Sequence, residues 1–193
     1  MKFDELHQLK RFFSTMELSE SEKKKRCDLA WLLYDAVWYT FTLYKVELQI
    51  KGSYDENSFR ETLKNRISDA IDIPYDPSYV DKVVDDITET TSRHLDDPYY
   101  FSPDRAVVIA QNEANSVFNY ADYDSAVKSG KKWKTWVAEK DDRVRLEHAE
   151  VDMMRIPINE YFHVGNDSML YPHDVMNGSA ENLVNCRCLC TYS

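Results

Sequence analysis

Two polar clusters in the last third of the chain have residue types and spacings that could do chemistry. One is Asp141-Asp142-Arg143-Val144-Arg145-Leu146-Glu147-His148, spaced AspxArgxArgxxHis, and the other is Asn185-Cys186-Arg187-Cys188. They stand about forty residues apart in a stretch with little helical periodicity, a pattern that points to a shared site more than to a repeating apolar face.

Three chemistries fit these residues. In the first, the five-donor forks of Arg143 and Arg145 meet acceptors on Asp141, Glu113, Glu160 and Glu181 in a structural network. Irregular backbone between residues 139 and 185 cannot satisfy its own hydrogen bonds, so charged anchors would supply the missing partners, and this is the preferred reading. In the second, His148, Cys186 and Cys188 bind zinc, with His173 or Cys190 as the fourth ligand. The one-residue gap between the cysteines is less typical than a CxxC knuckle, but zinc held there would contribute on the order of 10 kcal/mol to folding. In the third, His148 is a general base oriented by Glu113 or Asp141, with Arg145 stabilising an anion, as in a nuclease or phosphate-directed hydrolase. No GxxxxGK[ST] loop, HExxH helix or GxSxG elbow occurs, which removes the commonest phosphate-loop, zinc-protease and serine-hydrolase readings. His7, His94 and His163 read as surface or packing histidines.

The elements that must position these residues are mostly helical. Ser19 and Glu22 form a capping-box pattern, and Leu29, Leu33, Ala36, Val37, Phe41, Tyr44 and Leu48 recur at helical steps up to Gly52. That predicts a helix of roughly thirty residues, about 45 Å long, with too many aromatics for burial on one narrow stripe. A second helix is predicted from about Asn57 to Ile71. A third follows Asp76-Pro77, with Asp76 as cap, Pro77 in the first turn, and Val80, Val83, Val84, Ile87 and Leu95 on its apolar side. A fourth opens at Ser102-Pro103 and stops before Gly130. Beyond Gly130, residues 131–138 and 187–192 read as strands around a loop-rich middle. The fold class is therefore α+β, a mainly helical N-terminal region (1–100) with a loop-rich C-terminal domain (101–193) containing a small β-sheet.

The chain has 193 residues, 43% hydrophobic, with only four glycines, which favours long helices over turn-rich β architecture. Its net charge is −10, and both halves are acidic, which argues against duplex DNA as the main partner. The local basic run Lys131-Lys132-Trp133-Lys134 reads as a solvated strand entrance. No uninterrupted apolar stretch is long enough to span a membrane, and the Met1–Glu5 start lacks signal-peptide character, so a cytoplasmic location is expected. Three of the four cysteines crowd alternate tail positions, which fits reduced thiols or a metal better than a secreted disulfide framework.

From Phe101 to the end, the order of the Ser-Pro helix start with Ala110-Gln111-Asn112-Glu113, then Gly130-Lys131-Lys132-Trp133, the Asp141–His148 run, Pro157, Glu160–Phe162, Tyr171-Pro172 and Glu181–Cys188 resembles the phage Mu protein F-like family of minor head proteins. The resemblance implies a minor capsid component of a phage or prophage. It would act in head morphogenesis near the portal, contacting portal, capsid or scaffold proteins in the host cytoplasm and residing in the virion head. Two departures stand out. Where the family often has Arg-Thr-Glu in the fourth helix, this chain has Gln111-Asn112-Glu113, and where it often has Asp-Gly after the histidine, this chain has Asp152-Met153. The Asp152 turn is therefore expected to be built differently, because a close backbone approach there would need glycine.

Overall fold

The structure is a computed structural model and describes residues 2–76 and 78–193. Met1 and Pro77 lie outside the described residues, and with Pro77 the expected first-turn proline.

Helix α1 (Lys2–Ser14), which sequence reading passes over, buries Leu9 and Phe13 in the same core as α2 (Glu20–Lys51). The capping box opens α2 as expected. The Ser19 hydroxyl accepts from the Glu22 N–H at 3.3 Å, and the Glu22 carboxylate accepts from the Ser19 N–H at 3.0 Å. Gly52 closes it at φ 73, its N–H donating to the Leu48 carbonyl. Packed against α1, α3 (Glu56–Ala70) and α5 (Pro103–Lys128), α2 is buried on several sides, as its aromatic load requires. Phe41, Tyr44, Tyr54, Phe59 and Phe101 form an edge-to-face and stacked aromatic cluster between these helices.

Helix α4 (Tyr79–Ser92) buries Val80, Val83, Val84 and Ile87, but two details differ from expectation. Asp76 is not the cap: its carboxylate accepts from the Ser78 N–H at 2.8 Å in the turn just before the helix, and Ser78 holds the cap position without a side-chain bond. Leu95 lies beyond the helix and is exposed, because the chain turns at Arg93 towards the 3-10 turn Pro98–Phe101. At the start of α5 the Ser102 hydroxyl accepts from the Arg105 N–H, with Pro103 as the first helical residue.

Strand β1 (Trp133–Val137) is central in a three-stranded antiparallel sheet, flanked by β2 (Arg155–Pro157) and β5 (Leu189–Tyr192). A separate hairpin joins β3 (Phe162–Val164) to β4 (Asp167–Met169). Two single-turn helices, α6 (Leu146–Glu150) and α7 (Ala180–Leu183), sit in the loop-rich region. Lys134 is not part of a solvated entrance. It is fully buried, donates to the Leu170 carbonyl at 2.6 Å, and lies over the rings of Tyr123 and Phe162; burial pushes its ammonium down to about 8. The described residues form two apolar cores. The larger runs through the helices from Leu9 to Val117, and the smaller gathers Trp136, Ala138, Val151, Phe162, Val164, Met169, Cys186 and Cys188.

The turn after Asp152 keeps its left-handed residue without glycine: Met153 has φ 59. Its N–H donates to the Trp136 carbonyl at 2.9 Å, and the Asp152 carboxylate accepts from the Ala138 N–H at 2.9 Å. The Met153 side chain is exposed, so the strain is confined to the backbone.

Candidate functional site

The two polar clusters meet. Asp141 and Arg187 form a bidentate pair with both N–O distances at 2.7 Å, and the same guanidinium reaches the Thr15 hydroxyl at 3.3 Å. Arg187, then Arg143, holds the Asp141 carboxyl well below the usual carboxylate range. Beside this pair the Glu17 N–H donates to Glu139 at 2.9 Å, so the α1–α2 turn is tied to the start of the first cluster.

Of the remaining charged anchors, Arg143 meets Asp141 as expected and the others do not meet their expected partners. Arg143 is spent on Asp141, two residues away, and Arg145 donates to the Val184 carbonyl instead of a carboxylate. Glu160 and Glu181 are exposed and form no ion pair among the described residues. Glu113 meets no arginine; its carboxylate accepts from the Tyr79 hydroxyl. The irregular loops are held mainly by neutral amides and hydroxyls along one face of α5. Gln111 donates to the Asn185 side chain at 2.6 Å, and Asn112 accepts from the Asn185 N–H at 2.7 Å. Asn115 donates to the Cys186 carbonyl at 3.4 Å, and Ser116 donates to the His173 carbonyl at 2.7 Å. Asn119 donates to the carbonyls of Pro172 at 2.9 Å and Cys188 at 3.4 Å. Amides suit this task because each carries donors and an acceptor and buries without the penalty of a charge. The signal was in the sequence: positions 111, 112, 115, 116 and 119 share one helical face, and all five are polar.

Behind this ladder lies Arg26, which sequence reasoning missed. It projects from α2, is 2% exposed, and donates to the carbonyl oxygen and side chain of Asn115 and to the Asn119 side chain, with Asp122 at 3.3 Å. Burial pushes its guanidinium down to about 10. A relay thus runs from α2 through Asn115 and Asn119 to the backbone of Cys186 and Cys188.

His148, on α6, and the cysteines that follow α7 form the most chemically distinctive group. The His148 Nδ1 lies 3.4 Å from the Cys188 Sγ and 3.6 Å from the Cys186 Sγ, and the three ligand atoms lie within 4.8 Å of one another. All three side chains are buried. The His148 Nε2 lies 3.2 Å from the Asn182 Oδ1, and the Cys188 N–H donates to the Cys186 sulfur at 3.4 Å. Burial pushes the Cys186 thiol up, but the side-chain and backbone hydrogen bonds from Cys188, with Arg145 and Arg187 nearby, outweigh it and leave that thiol below its usual value. Two expected fourth ligands stay outside the group. His173 is turned so that its Nε2 bonds the Cys186 carbonyl, its backbone at φ 63, and Cys190 sits on β5, paired across from Trp136. Asn185, at φ 59, makes the turn that brings Cys186 under His148, and Asn is among the residues that tolerate this conformation.

The hydrolase grouping is not assembled. Both ring nitrogens of His148 face protein groups, Glu113 is bound to Tyr79, Asp141 to Arg187 and Arg143, and Arg145 to a carbonyl. His94 and His163 are local, one stacked on Tyr100 and the other bonded to Ser168.

Glu113 supports an expected pH effect. Burial pushes its carboxyl up to about 7, against the lowering influence of the Tyr79 hydrogen bond and of His173. A carboxyl raised in the folded state keeps a proton that the unfolded chain has released, so its contribution is most favourable below pH 4.5 and is lost as pH rises to about 7. His173, pushed down to about 4 by burial, acts in the opposite sense between that value and 6.5, so the wild-type profile alone is not diagnostic. The difference between wild type and Glu113→Gln isolates the carboxyl. The variant is expected to gain on the order of 2 kcal/mol relative to wild type between about pH 5 and 7.5 in urea unfolding, and parallel profiles would refute the assignment.

The fold is a helical scaffold whose last long helix stitches a small, loop-rich β domain through neutral amides. The sequence model of the family described as Phage Mu protein F like protein matches residues 79–191, more than half of the chain, and the chain belongs to that family. The family is one of phage head morphogenesis proteins. No curated protein and no solved structure matches the chain.

Proposed function

We propose that this protein is a minor head protein of a phage or prophage, acting by contact with portal, capsid or scaffold subunits during head assembly in the host cytoplasm and then residing in the virion head. Beyond family membership, the observation that carries this reading is a solvent-facing apolar stripe on α2. Leu32, Tyr39, Leu43, Val46 and Ile50 are all at least 45% exposed, and at 100° per residue they fall on one narrow face about 27 Å long. An apolar row of that length on one helix is more than scattered surface hydrophobics, and it fits a protein that works by docking. The net charge of −10 weighs against duplex DNA as the primary partner, and no helix among the described residues is long and apolar enough to cross a membrane.

The test is co-expression of the chain with the portal, scaffold and major capsid proteins of the same phage or prophage, followed by sedimentation of assembled heads. The wild-type chain is expected in the head fraction, and the Leu43→Glu/Ile50→Glu pair, which touches only exposed positions, is expected to leave the fold intact and reduce incorporation at least about tenfold. Absence of the wild-type chain from heads that assemble would sink the proposal.

A further inference from the structure

We infer that His148, Cys186 and Cys188 form a zinc centre with three protein ligands, built on the joint between α6 and the segment after α7. The reading is independent of the head-assembly role.

The geometry points to it first. A tetrahedral ion with Zn–S near 2.3 Å and Zn–N near 2.0–2.1 Å places its nitrogen and sulfur ligands about 3.6 Å apart. The His148 Nδ1 stands 3.4 and 3.6 Å from the two sulfurs. An imidazole nitrogen offers one lone pair and accepts one S–H, so a hydrogen bond to Nδ1 accounts for only one of the two sulfurs at this distance, while the Cys188 N–H at 3.4 Å holds the Cys186 sulfur from the other side. An ion on the lone-pair axis accounts for both.

The tautomer agrees. The Asn182 amide nitrogen is committed to the Val164 carbonyl at 3.0 Å and to the Asp167 carboxylate at 2.8 Å, so its oxygen must face the ring. Asp167 is itself fixed by the backbone N–H and hydroxyl of Ser179, each at 2.7 Å. The proton of a neutral His148 therefore sits on Nε2, donated to Asn182, and the bare Nδ1 faces the sulfurs. A metal-bound histidine is oriented in this way, by a partner on its other nitrogen. The charge balance agrees as well. Two thiolates and a neutral imidazole offset a divalent ion, and the Cys188 N–H donated to the Cys186 sulfur at 3.4 Å is a bond that favours thiolate.

The setting holds the three side chains rigidly. His148, Cys186 and Cys188 are 2–3% exposed, Trp136 meets the His148 ring edge-on at 5.8 Å between centroids, and the amides of α5 hold the carbonyls of Cys186 and Cys188. No further His, Cys, Asp or Glu joins the group among the described residues, so the fourth position falls to water. A centre here would pin two segments about forty residues apart in a domain whose sheets are short.

The test uses the full chain purified without a metal-affinity tag and kept reduced. Elemental mass spectrometry is expected to find about one zinc per chain. Replacement by cobalt is expected to give a thiolate charge-transfer band and the strong visible absorption of a four-coordinate ion. Chelation is expected to lower the Tm by roughly 10 °C or more. Cys188→Ser and His148→Asn should lose the band, while Cys190→Ser should keep it. Because ligand variants can misfold, Asn182→Ala supplies a second arm, expected to fold and to bind zinc about 10- to 100-fold more weakly. No zinc as purified together with no cobalt band on titration overturns the proposal, and so does a metal that survives the Cys188→Ser/His148→Asn double substitution.

Discussion

Arg26→Met is expected to destabilise the protein by about 3 kcal/mol, lowering the Tm by roughly 6–12 °C. Two effects compete. Removing the guanidinium relieves a buried charge whose desolvation is visible in its depressed proton affinity, and exchanging a buried ion pair for apolar groups is often neutral or stabilising. Here, however, the main partners are not charges that leave with it. The side-chain oxygens of Asn115 and Asn119 remain, buried and without their donor, while the Asn115 carbonyl keeps its bond within α5. Each stranded acceptor costs about 1–3 kcal/mol, so the loss outweighs the relief. The same two asparagines hold the carbonyls of Cys186 and Cys188, so increased amide exchange should appear in residues 185–189 as well as in α2. Asp122→Asn should do far less, because that carboxylate is more than half exposed and 3.3 Å away. A melt of Arg26→Met within about 2 °C of wild type would show that the relay contributes nothing to stability.

Trp136→Ala is expected to cost about 3–5 kcal/mol, with a Tm drop of roughly 10 °C or more. Trp136 is fully buried at the centre of the smaller core, edge-to-face with Phe162 at 5.2 Å and 72° and with His148 at 83°. The short strands around it cannot close over the space an indole leaves, so most of it would persist as a cavity. Its backbone is pinned on both sides, by Met153 and Met154 and by the pairing with Cys190, which restricts relaxation further. Because α2, α3 and α4 belong to the other core, hydrogen exchange should show protection lost mainly in residues 133–192. Equal loss in the core of α2 would mean that the two cores unfold as one unit.

The helical part was readable because local chemistry determines it. The capping box at Ser19 and Glu22, the glycine after Lys51, the Ser-Pro start at residue 102 and the three- and four-residue apolar steps are short-range signals, and α2, α3 and α5 follow them within a residue or two. The resemblance to the family also rested on residue order alone. Failure came where a residue's partner was distant in sequence. Arg143 and Arg145 were expected to reach Asp141, Glu113, Glu160 and Glu181; Arg143 does pair with Asp141, two residues away, yet Arg187 also took Asp141, Tyr79 took Glu113, and the two glutamates stayed in solvent. Charge complementarity permits all these pairings, and only packing selects among them.

The sequence by itself determined the helical scaffold, the acidic surface, the strands on either side of the loops and the two clusters that identify the family, because each depends on composition or on spacing within a few residues. The grouping of His148 with Cys186 and Cys188 and the polar face of α5 were legible in residue type and spacing, but tertiary structure alone decided that Lys134 is buried, which loop groups those amides hold, and that His173 and Cys190 stand aside. These outcomes depend on left-handed turns at Met153, His173 and Asn185, none of them glycine. Such turns are held by hydrogen bonds to residues far along the chain, and a local pattern carries no trace of them.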